Sequence, residues 1–153
     1  MREILFRGKR TDNSEWVEGS LILTTSTMEK PFIVDSCWCY SGSVDDEGYA
    51  KFEYLNAYEV IPESVSEFTG LTDKNGKKIF EGDVVKYKNT DGIKFNGVAL
   101  TVIGKVVYNE KNASFAISGK DEIGAKHYDY FPIKNIEVVG NIHDNPELLK
   151  GGD

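Results

Sequence analysis

The sequence predicts a mainly β protein: an antiparallel N-terminal β section over residues 1–65, packed on a C-terminal SH3-like small barrel over residues 66–153, finished by a short helix. Three observations carry this. Short runs rich in Val, Ile and aromatic residues recur along the chain, separated by Gly-, Asn- and Asp-containing turns, the pattern of small all-β folds. The stretch from Ser66 to Val85, SEFTGLTDKNGKKIFEGDVV, sets a compact Asp73-Lys74-Asn75-Gly76 turn before Phe80, Glu81-Gly82-Asp83 and the β-branched pair Val84-Val85. Asn and Gly both tolerate positive φ, and Gly82 suits a tight corner at which the chain returns to a sheet. Helix signals are confined to one short stretch near the end.

At 153 residues, 40% hydrophobic and 12% aromatic, the chain suits one domain or two small barrels sharing a core. A chain of this length buries roughly 68–70% of its unfolded surface without needing staples.

Taken in order, residues 3–7 and 15–23 read as an N-terminal hairpin around the polar turn at 9–14, with Trp16 as anchor. A polar connection at 24–30 leads to Pro31, which opens a third strand region, Phe32-Ile33-Val34, extending to residues 37–40. Residues 41–48 read as an acidic loop, and Phe52, Tyr54, Tyr58, Val60 and Ile61 as a further extended segment. Pro62 lacks a ladder donor and marks a strand end. Residues 83–88 form a strand, with Asn89-Thr90-Asp91-Gly92 as its turn. The β-branched run 97–108 follows, and Gly104 within it suggests a bulge. After the turn at 109–112 come a return strand at 113–118 and a polar loop at 119–126. Tyr128, Tyr130 and Phe131 then precede Pro132, and 136–139 is the closing strand. Asn145-Pro146-Glu147-Leu148-Leu149-Lys150, with Gly151 after, has the cap, first-turn proline and acid of a short helix. It is too short to stand alone and must dock.

The formal charge of −7 is uneven. Residues 1–65 hold six basic and twelve acidic side chains, and residues 66–153 hold twelve lysines and thirteen acids. All three arginines, Arg2, Arg7 and Arg10, lie in the first ten residues. Arginine is the usual bidentate reader of phosphate and guanine, and an acidic chain repels nucleic acid at long range. Non-specific nucleic-acid binding is therefore disfavoured, although a local lysine face stays open. The start of the chain lacks a signal peptide's apolar stretch and no run reaches membrane-span length, so a cytoplasmic location is expected. Cys37 and Cys39 flank Trp38; a disulfide across one residue is strained, so free thiols are expected.

Three stretches resemble the YopX family: Ile4-Leu5-Phe6-Arg7-Gly8-Lys9 with Trp16-Val17-Glu18-Gly19, the segment Thr69 to Val85, and Ile136 to Leu149. The resemblance implies a small, mainly β protein encoded by phages or prophages of mainly low-GC Gram-positive bacteria. It implies no catalytic residue to carry over and no assigned molecular function.

Candidate chemistry is sparse. Gly70 to Lys78 lacks the Gly-Lys-Ser/Thr that opens a helix in a P-loop. The acids at 45–47 lack the alternating ligands of a calcium loop. Cys37, Cys39, His127 and His143 lack zinc-site spacing, so no metal and no cofactor are expected. Glu81 and Asp83 share a strand face, but spacing alone fixes no pKa, and no nucleophile elbow is present. Gly70, Leu71, Asp73, Asn75, Gly76, Phe80, Glu81, Gly82 and Asp83 are read as a structural corner. A binding face is expected at Lys105, Lys111, Lys126, Tyr128 and Tyr130, with Lys94, Lys120 and Lys134 as further contributors. Alternation places Tyr128 and Tyr130 on one side and Phe131 on the other. The functional expectation is a non-catalytic phage accessory protein that binds a phage or host protein, not a membrane, through a homo-oligomeric β scaffold. The alternative is a nucleic-acid-binding barrel using the lysines of the second half.

Overall fold

In a computed structural model, the structure describes residues 3–23, 30–35, 39–53, 56–90, 94–95, 97–131 and 134–150. Arg2, Cys37, Trp38, Tyr54, Asp91, Gly92, Pro132 and Gly151, all named above, lie outside them. The chain is mainly β and antiparallel, with two single 3-10 turns as its helical content among the described residues. It divides into two compact units, Glu3–Glu67 and Phe68–Asp153.

In the first unit β1 (Phe6–Lys9) pairs with β2 (Trp16–Leu23), β2 with β3 (Pro31–Val34), and β3 with β6 (Ala57–Glu59). The other edge of β1 takes the first two residues of β7 (Ser66–Thr72). A separate hairpin joins β4 (Cys39–Val44) to β5 (Ala50–Glu53). Alternation along β2 and β3 buries Val17 and Ile33, which cluster with Val60. Arg7 lies over the Trp16 ring and Arg10 over Tyr58, at 4.6 and 4.1 Å from the ring centroids. Such contacts cover aromatic rings with cations, and Arg7 is itself buried. A 3-10 turn, η1 (Pro62–Ser64), follows the strand end at Pro62, and the Ser64 hydroxyl accepts from the Lys9 amide.

In the second unit β7 continues against β8 (Lys78–Phe80). A five-stranded antiparallel sheet then takes the order β14-β13-β12-β9-β15, from β9 (Asp83–Lys88), β12 (Thr101–Asn109), β13 (Ser114–Asp121), β14 (Lys126–Tyr130) and β15 (Glu137–Asn141). Short strands β10 (Lys94–Phe95) and β11 (Val98–Ala99) form a small hairpin. One face of the sheet presents Val85, Tyr87, Val102, Val106, Phe115 and Ile117 to a core that also holds Ile79 and Ile136; Phe131 packs against it.

Several sequence expectations are corrected here. Residues 41–44 belong to β4, so the acidic loop shrinks to a turn at 45–49, where the Asp45 carboxylate accepts from the Glu47 and Tyr49 amides. Residues 119–121 extend β13, because pairing with β12 outweighs their weak strand preference. The ladders run unbroken through Gly104; in this five-stranded sheet a register shift lies on β15 between Val138 and Gly140. The expected terminal helix is a single 3-10 turn, η2 (Pro146–Leu149). The expected closed barrel is not seen: β14 and β15 are the outer strands of the sheet order, with no pairing between them among the described residues.

Candidate functional site

The Thr69–Val85 corner is built from side chains that bond to backbone. Gly76 sits at φ +81, where an L side chain is strained. The Asp73 carboxylate accepts from the Asn75 and Lys77 amides at 2.7 and 2.9 Å and from the buried Val138 amide at 3.1 Å. Burial pushes the Asp73 carboxyl up, but these N–H donors outweigh it and hold its pKa below the ordinary aspartate value. Asp83 is fully buried and accepts from the Phe80 amide; Phe80 itself packs on Phe68. Glu81 accepts from the Tyr108 amide. Gly70 and Gly82 take positive φ, Leu71 is half-exposed, and its amide donates to the Thr69 hydroxyl. Thr69, Asp73, Glu81 and Asp83 of the corner thus each bond through the side chain to backbone.

The outer face of the five-stranded sheet is different. Strand register sets Lys126 opposite Lys120, Lys120 opposite Ile103, and Ile103 opposite Lys86. Directly opposed residues share a face, so three lysines and one isoleucine form a row across four strands, about 14 Å at the usual strand spacing, and Glu137 of β15, itself paired with Lys74, ends the row opposite Lys86. The next row is Tyr128, Ser118, Lys105 and Val84, and Tyr130 lies beyond it opposite Ala116. Lys86, Lys105, Lys120 and Lys126 line an open groove of about 1030 Å³, bordered by Glu122 and Ile123 of the β13–β14 turn and by Leu148 and Leu149 of η2. Among the described residues, none of these four lysines is ion-paired with a carboxylate. Like charges placed directly opposite on a sheet repel, so the row is a cationic surface held together by packing on its other face.

The turn η2 reaches this face because β15 carries Gly140 beneath it. A Cβ there would fall 2.5 Å from Asn145 Oδ1 and 2.8 Å from Leu148 Cδ1. At the groove's other border Asp121 is committed inward. Its carboxylate accepts from the Ile123 and Ala125 amides and meets His127 Nε2 at 2.9 Å. The His127 contact first, then these amides, hold the Asp121 pKa down. His127 Nδ1 lies 3.3 Å from the Asn89 amide nitrogen, and Asp129 accepts from the Tyr87 hydroxyl. Burial, with Asp129, pushes the Tyr87 phenol far up, so it stays a donor.

Of the residues expected on a binding face, Lys105, Lys120 and Lys126 share the groove, and Tyr128 and Tyr130 adjoin it. Lys111 sits apart, in a second open hollow of about 420 Å³ with Tyr108, Asn109, Glu110 and Tyr128. Lys134 lines neither. The sequence reading missed Lys86, which alternation along β9 marks as outward but only long-range register brings to the groove. It also missed the Asp121–His127 pair, whose signal is the i, i+6 spacing across a hairpin turn. Among the described residues, no three His, Cys, Asp or Glu side chains gather to hold a metal ion, and no helix is long and apolar enough to cross a membrane.

The family model described as YopX protein matches residues 5–150. No curated protein matches the chain. Among solved structures the fold is similar to the crystal structure of protein EF1440 from Enterococcus faecalis. That likeness has 23% identity and a TM-score of 0.56, covering 97% of this chain and 99% of that one.

Proposed function

Since the chain belongs to the YopX protein family, we propose that it is a non-catalytic phage or prophage accessory protein whose lysine groove holds a phosphate-bearing polymer. The single observation that supports this is the set of four lysines that, among the described residues, form no ion pair with a carboxylate, on one exposed sheet face of a chain with formal charge −7. Ammonium groups that outnumber the acids of their face and form no ion pair with them are a ready electrostatic footprint for phosphates. The SH3-like reading is supported by the strand order, in which the three consecutive hairpin-linked strands β12, β13 and β14 are extended on the β12 side by β9 and then β15. The absence of catalysis is supported by the bonding of the acids: Asp73, Asp83 and Asp121 are engaged by backbone, and both His127 nitrogens have neighbours.

The test is binding of inorganic polyphosphate as a function of salt. Affinity should fall steeply between 50 and 200 mM salt, on the order of tenfold or more for three or four contacts. The charge-reversed pair Lys120→Glu, Lys126→Glu should abolish it. Equal binding by wild type and variant would remove the groove from consideration.

A second reading, protein–protein binding on a homo-oligomeric scaffold, is supported by the exposed apolar side chains Ile103, Ile123 and Leu149 that border the same groove. Native mass measurement at micromolar concentration separates it: a monomer that still binds polyphosphate leaves the groove to a polymer, and a dimer that excludes polyphosphate gives the face to a second copy.

A further inference from the structure

The polymer is identified by what lies beside the lysines. We propose that the groove and the adjoining tyrosines form one site for single-stranded nucleic acid, phosphates on the lysine row and an unstacked base against Tyr128. This rests on the groove reading above and adds to it the chemical class of the ligand. Tyr128 follows Lys126 by two residues on the same strand face, about 7 Å along a strand, the scale of one nucleotide step in an extended chain. The residue is 46% exposed and lines the hollow with Tyr108, Asn109, Glu110 and Lys111.

The ring is also held in place. Tyr130 meets Tyr128 edge to face, with centroids 5.6 Å apart and an interplanar angle of 81°. The Tyr130 hydroxyl in turn accepts from the side-chain amides of Asn109 and Asn112 at 3.3 and 3.0 Å. Tyr108 is braced in the same manner against Phe115, with centroids 5.3 Å apart. A fixed, half-exposed aromatic ring next to unpaired cations is the arrangement that binds single strands, because every base offers a π face while its phosphates follow the charge. A duplex keeps its bases stacked and offers no face to Tyr128. An acidic peptide would satisfy the lysines and leave the ring unused. Glu110 and Glu122 stand at the two hollows and disfavour phosphates placed directly over them, which confines the backbone path to the lysine row.

The experiment compares four probes on the full chain by fluorescence anisotropy at fixed salt: oligo(dT), an abasic oligodeoxynucleotide of equal length and charge, the corresponding duplex, and poly-glutamate. Oligo(dT) should bind roughly tenfold or more tighter than the abasic strand. Tyr128→Ala should erase that margin while leaving abasic affinity and its salt slope unchanged, and Tyr128→Phe should restore it. Thermal melts confirm that each variant folds. Equal binding of oligo(dT) and abasic strand, a duplex bound as well as the single strand, or poly-glutamate matching oligo(dT), would each overturn the base-stacking site. Binding of polyphosphate in the same assay shows whether the groove survives that outcome.

Discussion

Asp73 shows how one carboxylate fastens two segments that lie far apart in sequence. One oxygen closes the Asn75–Lys77 turn and the other takes the Val138 amide of β15. An alanine in its place strands those donors, one of them buried, and should cost about 2–4 kcal/mol, read as a lower urea midpoint at unchanged slope. The pH dependence has a definite sign. A carboxyl whose folded pKa lies below its unfolded value stabilises the fold fully above the unfolded value, 3.8, and loses that contribution as pH falls through the folded pKa. Wild-type stability should therefore drop below about pH 3.8, and Asp73→Asn should show a shallower drop from a lower start. A variant with the wild-type acid profile would mean that Asp73 is not a principal acid-sensitive clasp.

At the scale of elements, η2 depends on a residue that has no side chain. Gly140→Ala places a methyl against the side-chain ends of Asn145 and Leu148, which must shift, and the 3-10 turn should pack more loosely on β15 while the sheet stays folded. Hydrogen exchange should quicken across 145–150 and stay unchanged in β12 and β13. If exchange in the turn is unaltered, the docking does not depend on Gly140. The strands themselves were largely legible in the sequence, because β-branched runs and Asn- and Gly-rich turns act locally. Tyr128 and Tyr130 on one face and Phe131 against the core follow from period-2 alternation alone. Three features were not legible, and each depends on pairing at a distance. Residues 41–44 and 119–121 look like loop by composition; Val44 becomes strand opposite Ala50, with a register shift between Tyr40 and Val44, and 119–121 become strand because β12 pairs with them. A register shift lies on β15 rather than at Gly104, whose ladders are regular. Lys86 enters the groove only through the β9–β12 register, which no local pattern encodes.

At the scale of the whole molecule, two charge distributions oppose each other. The groove attracts phosphates over a few ångströms, while the chain's net −7 repels them over the screening length. That length is about 30 Å at 0.01 M salt and about 8 Å at 0.15 M, so acids well outside the groove act on an approaching strand at low salt and cease to act near physiological salt. Salt thus removes an attraction and a repulsion together. The plot of log affinity against log salt should approach a slope of about −2 to −3, the value for three or four single-strand contacts, only above about 0.1 M. Below that it should flatten. Removing acids that do not line the groove isolates the repulsive part. Asp46 and Glu47, both exposed at the tip of the β4–β5 hairpin, become Asn and Gln in the double variant; Asp45 is kept because its carboxylate holds the turn. Oligo(dT) should then bind faster and more tightly than to wild type at 0.01 M and indistinguishably at 0.2 M, with Tyr128→Ala weakening both proteins equally. A gain that persists at 0.2 M would place those two acids in contact with the strand and move part of the binding surface out of the groove.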